Sequence, residues 1–286
     1  VGYAAGMEMT SGSQNTMMGR SAGDALTTGA NNVAIGYKAL STEDAGHGAV
    51  AIGPFALEDQ DGGNTYNVAI GFSAGAEVTS GSYNTLLGGY AGDALTTGNN
   101  NTAVGYQALS TEDAHGSNTA IGYQTLNAQN AGADAYNVAV GHQAGLLVST
   151  GVQNTLIGGL AGDALTTGSY NVAIGYKALT TEDGHGYNIA IGRHALHNLN
   201  AGADAYNVAV GFKAGEAMTT GINTTLIGAE AGLTLTTGTN NTALGYRAMY
   251  SNADGDNNTA IGYRALYSMD PSGNADMYNV AVGHDA

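Results

Sequence analysis

The stretch at residues 154–179 reads NTLIGGLAGDALTTGSYNVAIGYKAL, and its second half restates the pattern of its first half. The pattern N-x-x-I-G-x-x-A begins at Asn154 and begins again at Asn171, 17 residues later. The glycine of this pattern, called the anchor glycine below, recurs along the whole chain. It stands at Gly2, Gly19, Gly36, Gly53, Gly71, Gly88, Gly105, Gly122, Gly141, Gly158, Gly175, Gly192, Gly211, Gly228, Gly245, Gly262 and Gly283. A short pattern that returns at a fixed interval is typical of a repeat protein whose units stack on one another.

The 17-residue units are grouped in fours. Three successive spacings between anchor glycines are 17 residues, and every fourth spacing is longer, at 18, 19, 19 and 21 residues. The larger repeats span residues 2–70, 71–140, 141–210 and 211–282, followed by a partial repeat at 283–286. We therefore expect one domain, a single solenoid over residues 1–286.

Each unit is too short for a pair of helices and too long for one strand, whereas short strands joined by turns fit its length. The N-[TV]-A-I-G segment alternates large and small side chains, as a strand does, and T-T-G and D-G-H-G indicate turns. Helix is disfavoured, because a glycine recurs in the middle of every unit. The sequence therefore predicts an all-β fold, a parallel β-solenoid (β-roll) of about seventeen 17-residue coils.

In such a stack, equivalent residues form columns that run from coil to coil. The residue four before the anchor glycine is asparagine in fourteen of the sixteen units that contain it, with Ala49 and Thr224 as the departures. We expect these amides to form a hydrogen-bonded structural ladder, as stacked amides do in cross-β structures. Its members include Asn15, Asn32, Asn84, Asn101, Asn118, Asn154, Asn171 and Asn188. The aliphatic residue before each anchor glycine is expected to fill the dry interior.

A single coil of this composition gains little from burial. Ordering its backbone costs more free energy than its few apolar side chains return, so we expect a further face to be buried against a partner chain. The small alanine and glycine columns are the predicted contact, because they allow close approach.

Composition excludes several classes of protein. The formal net charge of −16 disfavours nucleic acid and anionic membrane as partners. No apolar run is long enough to span a bilayer, so no membrane insertion is expected. The chain has no cysteine, hence no disulfide framework, and nothing in it predicts a cofactor.

The repeat resembles two families of surface fibre. Residues 118–126 (NTAIGYQTL) and 258–266 (NTAIGYRAL) are similar to the head repeats of trimeric autotransporter adhesins and to the N-T-A-I-G-Y-x-A-L repeats of bacteriophage tail fibres. This resemblance implies a left-handed parallel β-roll in which three chains, a homotrimer, wrap about one axis. It implies an extracellular location at a cell surface or on a virion, and attachment to a host-surface glycan or receptor.

Acidic residues stand beside a histidine in the third unit of three larger repeats. The groups are Glu43, Asp44 and His47; Glu112, Asp113 and His115; and Glu182, Asp183 and His185; the fourth repeat has Asp254 and Asp256 instead. Carboxylates and imidazole are suitable metal ligands. However, the copies lie four coils apart, so their histidines cannot converge on one ion. We expect solvated turns, with a metal site as the alternative.

The fourth unit of each larger repeat carries every insertion. These loops contain Asp61, Asp134, Asp204 and Asp276, and receptor or glycan contact is one interpretation, because loops often carry binding residues. Plain surface loops are nevertheless what we expect, with receptor or glycan contact as the alternative. Tyrosines also recur beside the motif, where packing at coil edges is expected and sugar binding is the alternative.

No catalytic motif is present, and each acidic cluster belongs to a repeated column, whereas a catalytic site should interrupt the repeat. The chain is therefore not expected to be an enzyme. The predicted function is a structural and adhesive fibre segment, from a phage tail fibre or a bacterial surface adhesin. The alternatives are an ice- or glycan-binding solenoid, or a polysaccharide-degrading tailspike.

Overall fold

A computed structural model of the chain describes residues 2–268 and 276–286. Within these residues the fold is all-β, and every strand is three residues long and ends directly before an anchor glycine. The strands are β1 (Thr16–Met18), β2 (Val33–Ile35), β3 (Val50–Ile52), β4 (Val68–Ile70), β5 (Thr85–Leu87), β6 (Thr102–Val104), β7 (Thr119–Ile121), β8 (Val138–Val140), β9 (Thr155–Ile157), β10 (Val172–Ile174), β11 (Ile189–Ile191), β12 (Val208–Val210), β13 (Thr225–Ile227), β14 (Thr242–Leu244), β15 (Thr259–Ile261) and β16 (Val280–Val282).

The chain forms two compact units, Val1–His142 and Gln143–Ala286. In the first unit β1 to β8 pair in chain order, and in the second β9 to β16 do the same, always in parallel. Thr102 pairs with Thr119 and Val172 pairs with Ile189, 17 residues apart in each case. Each turn of chain therefore stacks in register on the next, and the predicted parallel β-solenoid is confirmed.

The anchor glycine is required by the backbone and by the next coil. Gly105 has a φ of 136°, a region that side chains with a Cβ rarely adopt. An added Cβ at Gly105 would also collide with the carbonyl oxygen of Gly122 in the following coil. Because the same arrangement recurs at Gly122 and Gly158, the glycine column lets successive backbones approach closely.

The interior of the solenoid is lined by other residues than the sequence suggested. In β2 to β15 the middle residue of the strand points inward and is alanine or leucine, as at Ala120 and Leu156, both fully buried. The alanine three residues after the anchor glycine, such as Ala108, is also fully buried. The expectation that small alanines lie at a contact between subunits is therefore wrong, because they form the interior of the coil itself.

The aliphatic residue before the anchor glycine lies outside the interior, which corrects a second expectation. Ile121 and Ile157 are each 38% exposed. Successive side chains in a strand point to opposite faces, so the buried asparagine and the middle strand residue share the inner face. The residues between and after them, including this isoleucine, must then face outward.

Candidate functional site: outer strand face and acidic turns

Each unit contains an asparagine column that bonds mainly to backbone. Asn118 N donates to Asn101 Oδ1 (3.0 Å), and Asn101 N donates to Asn84 Oδ1 (2.9 Å). Several of the amide nitrogens reach a different backbone group, as Asn84 Nδ2 does at Gly98 O (2.9 Å), whereas Asn118 Nδ2 has no hydrogen-bond partner among the described residues. The side chain thus satisfies polar groups of two coils inside an otherwise apolar interior.

The predicted ladder residues occupy the same position in the coils of their own unit. Asn15 is half-buried, whereas Asn32, Asn84, Asn101, Asn118, Asn154, Asn171 and Asn188 are all buried. A direct bond between two side-chain amides occurs at Asn258 Nδ2 and Asn241 Oδ1 (3.2 Å). The ladder therefore differs from a column of stacked amides, because its repeating unit is an amide bound to backbone.

The glutamates of the acidic turns are buried, so the expectation of fully solvated turns is wrong for them. Glu43 is 1% exposed, and Glu112 and Glu182 are fully buried. Each stands in an interior column 17 residues after a buried leucine, as Glu112 follows Leu95. Burial raises the pKa of Glu43 and of Glu112, because desolvation disfavours the charged carboxylate.

Each buried glutamate holds its own turn closed. Glu43 Oε1 accepts from Gly46 N (2.7 Å), and Glu112 Oε1 and Glu182 Oε1 accept from the backbone of His115 and His185 (3.2 Å each). In the fourth repeat Asn252 takes this role, since its Oδ1 accepts from Gly255 N (2.9 Å). Sequence reasoning missed Asn252, although its spacing from Leu235 matches that of Glu112 from Leu95.

The neighbouring aspartates and histidines have different environments. Asp44, Asp113 and Asp183 are exposed. His115 Nδ1 lies 3.4 Å from Glu112 Oε1, and His185 Nδ1 lies 3.0 Å from Glu182 Oε1. His47 stands one residue further along its turn and instead accepts from Ala30 N (2.7 Å) through Nδ1. The structure thus brings all three residue types together in two turns, at 112–115 and at 182–185.

The aspartates of the inserted loops are exposed, and three of them also bond to the preceding coil. Asp134 Oδ1 accepts from Gly116 N (2.9 Å), and Asp204 Oδ1 accepts from Gly186 N (3.0 Å). Asp276 Oδ1 accepts from Asn257 Nδ2 (2.6 Å). Asp61 is exposed, and its backbone N–H donates to Thr79 O (3.0 Å). These carboxylates therefore fasten the loops to the coils while remaining partly open to solvent.

The tyrosines form stacked columns at the corner before the asparagine. Tyr187 stacks on Tyr170 and on Tyr206, with ring centroids 4.9 Å apart in both pairs and interplanar angles of 15° and 17°. In this arrangement the faces of neighbouring rings cover one another and the rims face solvent. Face-on contact with a sugar, the alternative considered for these tyrosines, would require one of the stacks to open.

The outer strand face, formed by the first and third residues of every strand, is largely aliphatic and partly open to solvent. Ile70, Ile121 and Ile157 are each 38% exposed in the third position, and Val138 is 37% exposed in the first. An aromatic column borders this face, where Tyr106 stacks on Tyr123 with centroids 5.8 Å apart. We did not predict this face from the sequence. It was predictable, because side chains alternate between the two faces of a strand and a buried asparagine before the strand shows which face is inside.

Comparison with protein-family models, with curated proteins and with solved structures gave no match for this chain. No helix suited to crossing a bilayer occurs within residues 2–268 and 276–286. The same residues form no pocket.

Proposed function

We propose that this chain is a structural and adhesive fibre segment, which associates with copies of itself through the outer strand face. In this proposal the assembly is a homotrimer, located outside the cell at a cell surface or on a virion, and attaches to a host-surface glycan or receptor. The number of chains and the attachment role rest on the resemblance of the N-T-A-I-G-Y-x-A-L motif. The self-association rests on the geometry of the strands.

The single observation that carries the proposal is the partial exposure of the aliphatic column before the anchor glycines. Contiguous apolar surface on a soluble protein commonly marks an interaction site. Completing the burial of one such isoleucine is worth about 0.5–1 kcal/mol, and each unit presents eight strands to a partner. The burial free energy summed over these strands is comparable with the entropic cost of association, and the neighbouring valines and tyrosines would add to it.

A second copy of this chain is the favoured partner for the outer strand face, because the face repeats with the period of the chain. Any partner must offer apolar groups at the spacing of parallel strands, about 4.8 Å. Another copy of the same solenoid meets this requirement along its whole length without further specificity.

The test compares the mass of the assembly in solution between matched variants. Ile121→Lys and Ile157→Lys together place two ammonium groups on the outer strand face, where burying them would be costly. We expect the wild type to have the mass of a trimer by light scattering, and the double variant that of a monomer. The matched control, Thr111→Lys with Gln153→Lys, adds the same charge at exposed positions away from this face and should stay trimeric. A wild-type monomer, or equal masses for both variants, would contradict the proposal.

A further inference from the structure

We propose that the turn at residues 112–115 binds one divalent transition-metal cation of the Zn²⁺ class. The ligands are the buried Glu112, the exposed Asp113 and the half-buried His115. This inference does not depend on the proposed fibre function, because the site lies within one turn of one chain.

The ligand atoms are already close together. One atom from each of Glu112, Asp113 and His115 lies within 4.8 Å of the other two, and the same holds for Glu182, Asp183 and His185. A tetrahedral ion with bonds of about 2.0–2.1 Å separates its ligand atoms by roughly 3.4 Å. Small side-chain rotations would therefore complete the first set.

The first turn contains polar atoms that lack a partner. Glu112 Oε2 and His115 Nδ1 are buried atoms without a hydrogen-bond partner among the described residues, and the Glu112 side chain is fully buried. An unpaired buried polar atom is costly, so such atoms often indicate a missing ion or water. Two of them in adjacent groups of one turn, with an exposed carboxylate beside them, favour a cation.

The charge around the first turn supports the same conclusion. Asp134 lies against it from the next coil, with its Oδ1 bonded to Gly116 N, the residue after His115. Asp134 therefore adds a third carboxylate next to the turn that contains His115. In the second turn Asp204 occupies the matching position at Gly186.

The second turn has the same residue types with more internal bonding. Glu182 Oε2 accepts from Ala201 N (3.1 Å), and Glu182 Oε1 accepts from His185 N (3.2 Å). His185 Nδ1 also lies 3.0 Å from Glu182 Oε1. The ligand atoms of Glu182 and His185 therefore already have partners, and we expect the second turn to bind no metal.

The turn at residues 43–47 offers an internal control. Glu43 Oε2 already accepts from Gln60 Nε2 (3.1 Å), and His47 Nδ1 accepts from Ala30 N (2.7 Å). Asn64 stands where the later repeats have Asp134 and Asp204. This turn therefore has the residues of the motif without a set of converging ligands, and we expect it to bind no metal.

The imidazole determines the class of metal. Ca²⁺ and Mg²⁺ prefer oxygen ligands, whereas a site with two carboxylates and one histidine suits Zn²⁺ and similar first-row ions. Three protein ligands leave one position for water.

The experiment measures Zn²⁺ bound to the whole chain by equilibrium dialysis and elemental analysis. We expect one ion per chain in the wild type, none in His115→Ala, and one in each of the controls His47→Ala and His185→Ala. Substituting Co²⁺ should give visible absorption that disappears only in His115→Ala. Circular dichroism checks that the variants keep the fold.

The exposed aspartate provides a second variant in case the histidine substitution disturbs the fold. Asp113→Asn should weaken Zn²⁺ binding at least tenfold without a change in the circular dichroism spectrum, whereas Asp183→Asn should not weaken it. The proposal is overturned if the wild type binds no Zn²⁺, or if His115→Ala binds as much as the wild type. The Ile121→Lys and Ile157→Lys variant should bind one ion as well, whatever its oligomeric state, which separates this proposal from the proposed function.

Discussion

At the residue scale, the motif residues of each coil make their most important contacts with the next coil. Gly105 combines a left-handed φ with a close approach to the carbonyl of Gly122. Asn101 Oδ1 accepts from Asn118 N, and Asn101 Nδ2 donates to His115 O (3.2 Å). Because these groups lie in the interior, losing one partner leaves a buried polar atom unpaired. The motif residues therefore act between coils rather than within one.

A substitution at an anchor glycine tests this dependence on the next coil. Gly105→Ala should lower the free energy of unfolding by about 3 kcal/mol, because it adds a steric clash to backbone strain. Gly132→Ala is the control, since Gly132 has a φ of 71° but no atom within 4 Å of an added Cβ. Backbone strain alone should cost about 1 kcal/mol there. Equal losses in urea unfolding would show that the close contact between coils has no energetic role.

At the scale of the coil, the interior contains acidic groups that titrate away from their usual range. Desolvation, helped by the charge of Glu77, raises the pKa of Asp93 to about 6. Asp93 Oδ1 is also a buried atom without a hydrogen-bond partner among the described residues. A carboxylate in this position favours its protonated form in the folded state. Stability should therefore rise as the pH falls through the pKa of the folded protein.

The variant Asp93→Asn should remove this part of the pH dependence. The folded pKa is near 6 and the ordinary value is 3.8, so the wild type gains stability as the pH falls from about 6 to about 4. The variant should be more stable by about 1–2 kcal/mol at neutral pH and equal to the wild type near pH 4. Urea unfolding at several pH values measures this. A constant difference across the range would be inconsistent with titration of Asp93.

Asp254 provides a control, because its pKa is shifted in the opposite direction to that of Asp93. Hydrogen bonds from Thr236 (2.6 Å) and Thr237 (2.9 Å) lower its pKa. Its charged form therefore stabilises the fold at neutral pH, and this contribution is lost as the pH falls through the lowered pKa. Asp254→Asn should be less stable than the wild type at neutral pH, whereas Asp93→Asn should be more stable.

The elements were predictable from spacing, but the direction of their side chains was only partly so. The 17-residue interval and the anchor glycines determine a parallel solenoid, since no other element fits that length. Ile121 was placed inside because it is apolar, yet the strand alternates and the buried Asn118 directs Ala120 inward instead. Glu112 was placed in solvent because it is charged, although it occupies the column of Leu95. In both cases position in the coil outweighed the character of the side chain.

The contacts within the candidate metal turns were also not predictable from the sequence alone. The residue types of the three turns are identical, so the sequence alone does not separate them. One added residue moves His47 out of reach, and Gln60 satisfies the carboxylate of Glu43 from the next coil. Convergence depends on hydrogen bonds between coils, which become visible only once the register is known.

At the scale of the whole molecule, two opposing forces govern association between copies. The net charge of −16 on each chain makes copies repel one another. The outer strand face offers apolar area along every described strand, which favours association. Salt screens the repulsion over about 10 Å at 0.1 M while leaving the apolar contact in place. In the proposed assembly, salt should therefore strengthen the association.

Thermal unfolding should reveal the association between copies without any label. If folded chains associate and unfolded chains do not, mass action makes the unfolding temperature rise with chain concentration. For a trimer of this size we expect about 2 °C for each tenfold increase, with a further rise on adding salt at constant concentration. The Ile121→Lys and Ile157→Lys variant should lose the concentration dependence, whereas Thr111→Lys with Gln153→Lys should keep it. A wild-type unfolding temperature that does not change with concentration would mean that the outer strand face is not buried by a second copy.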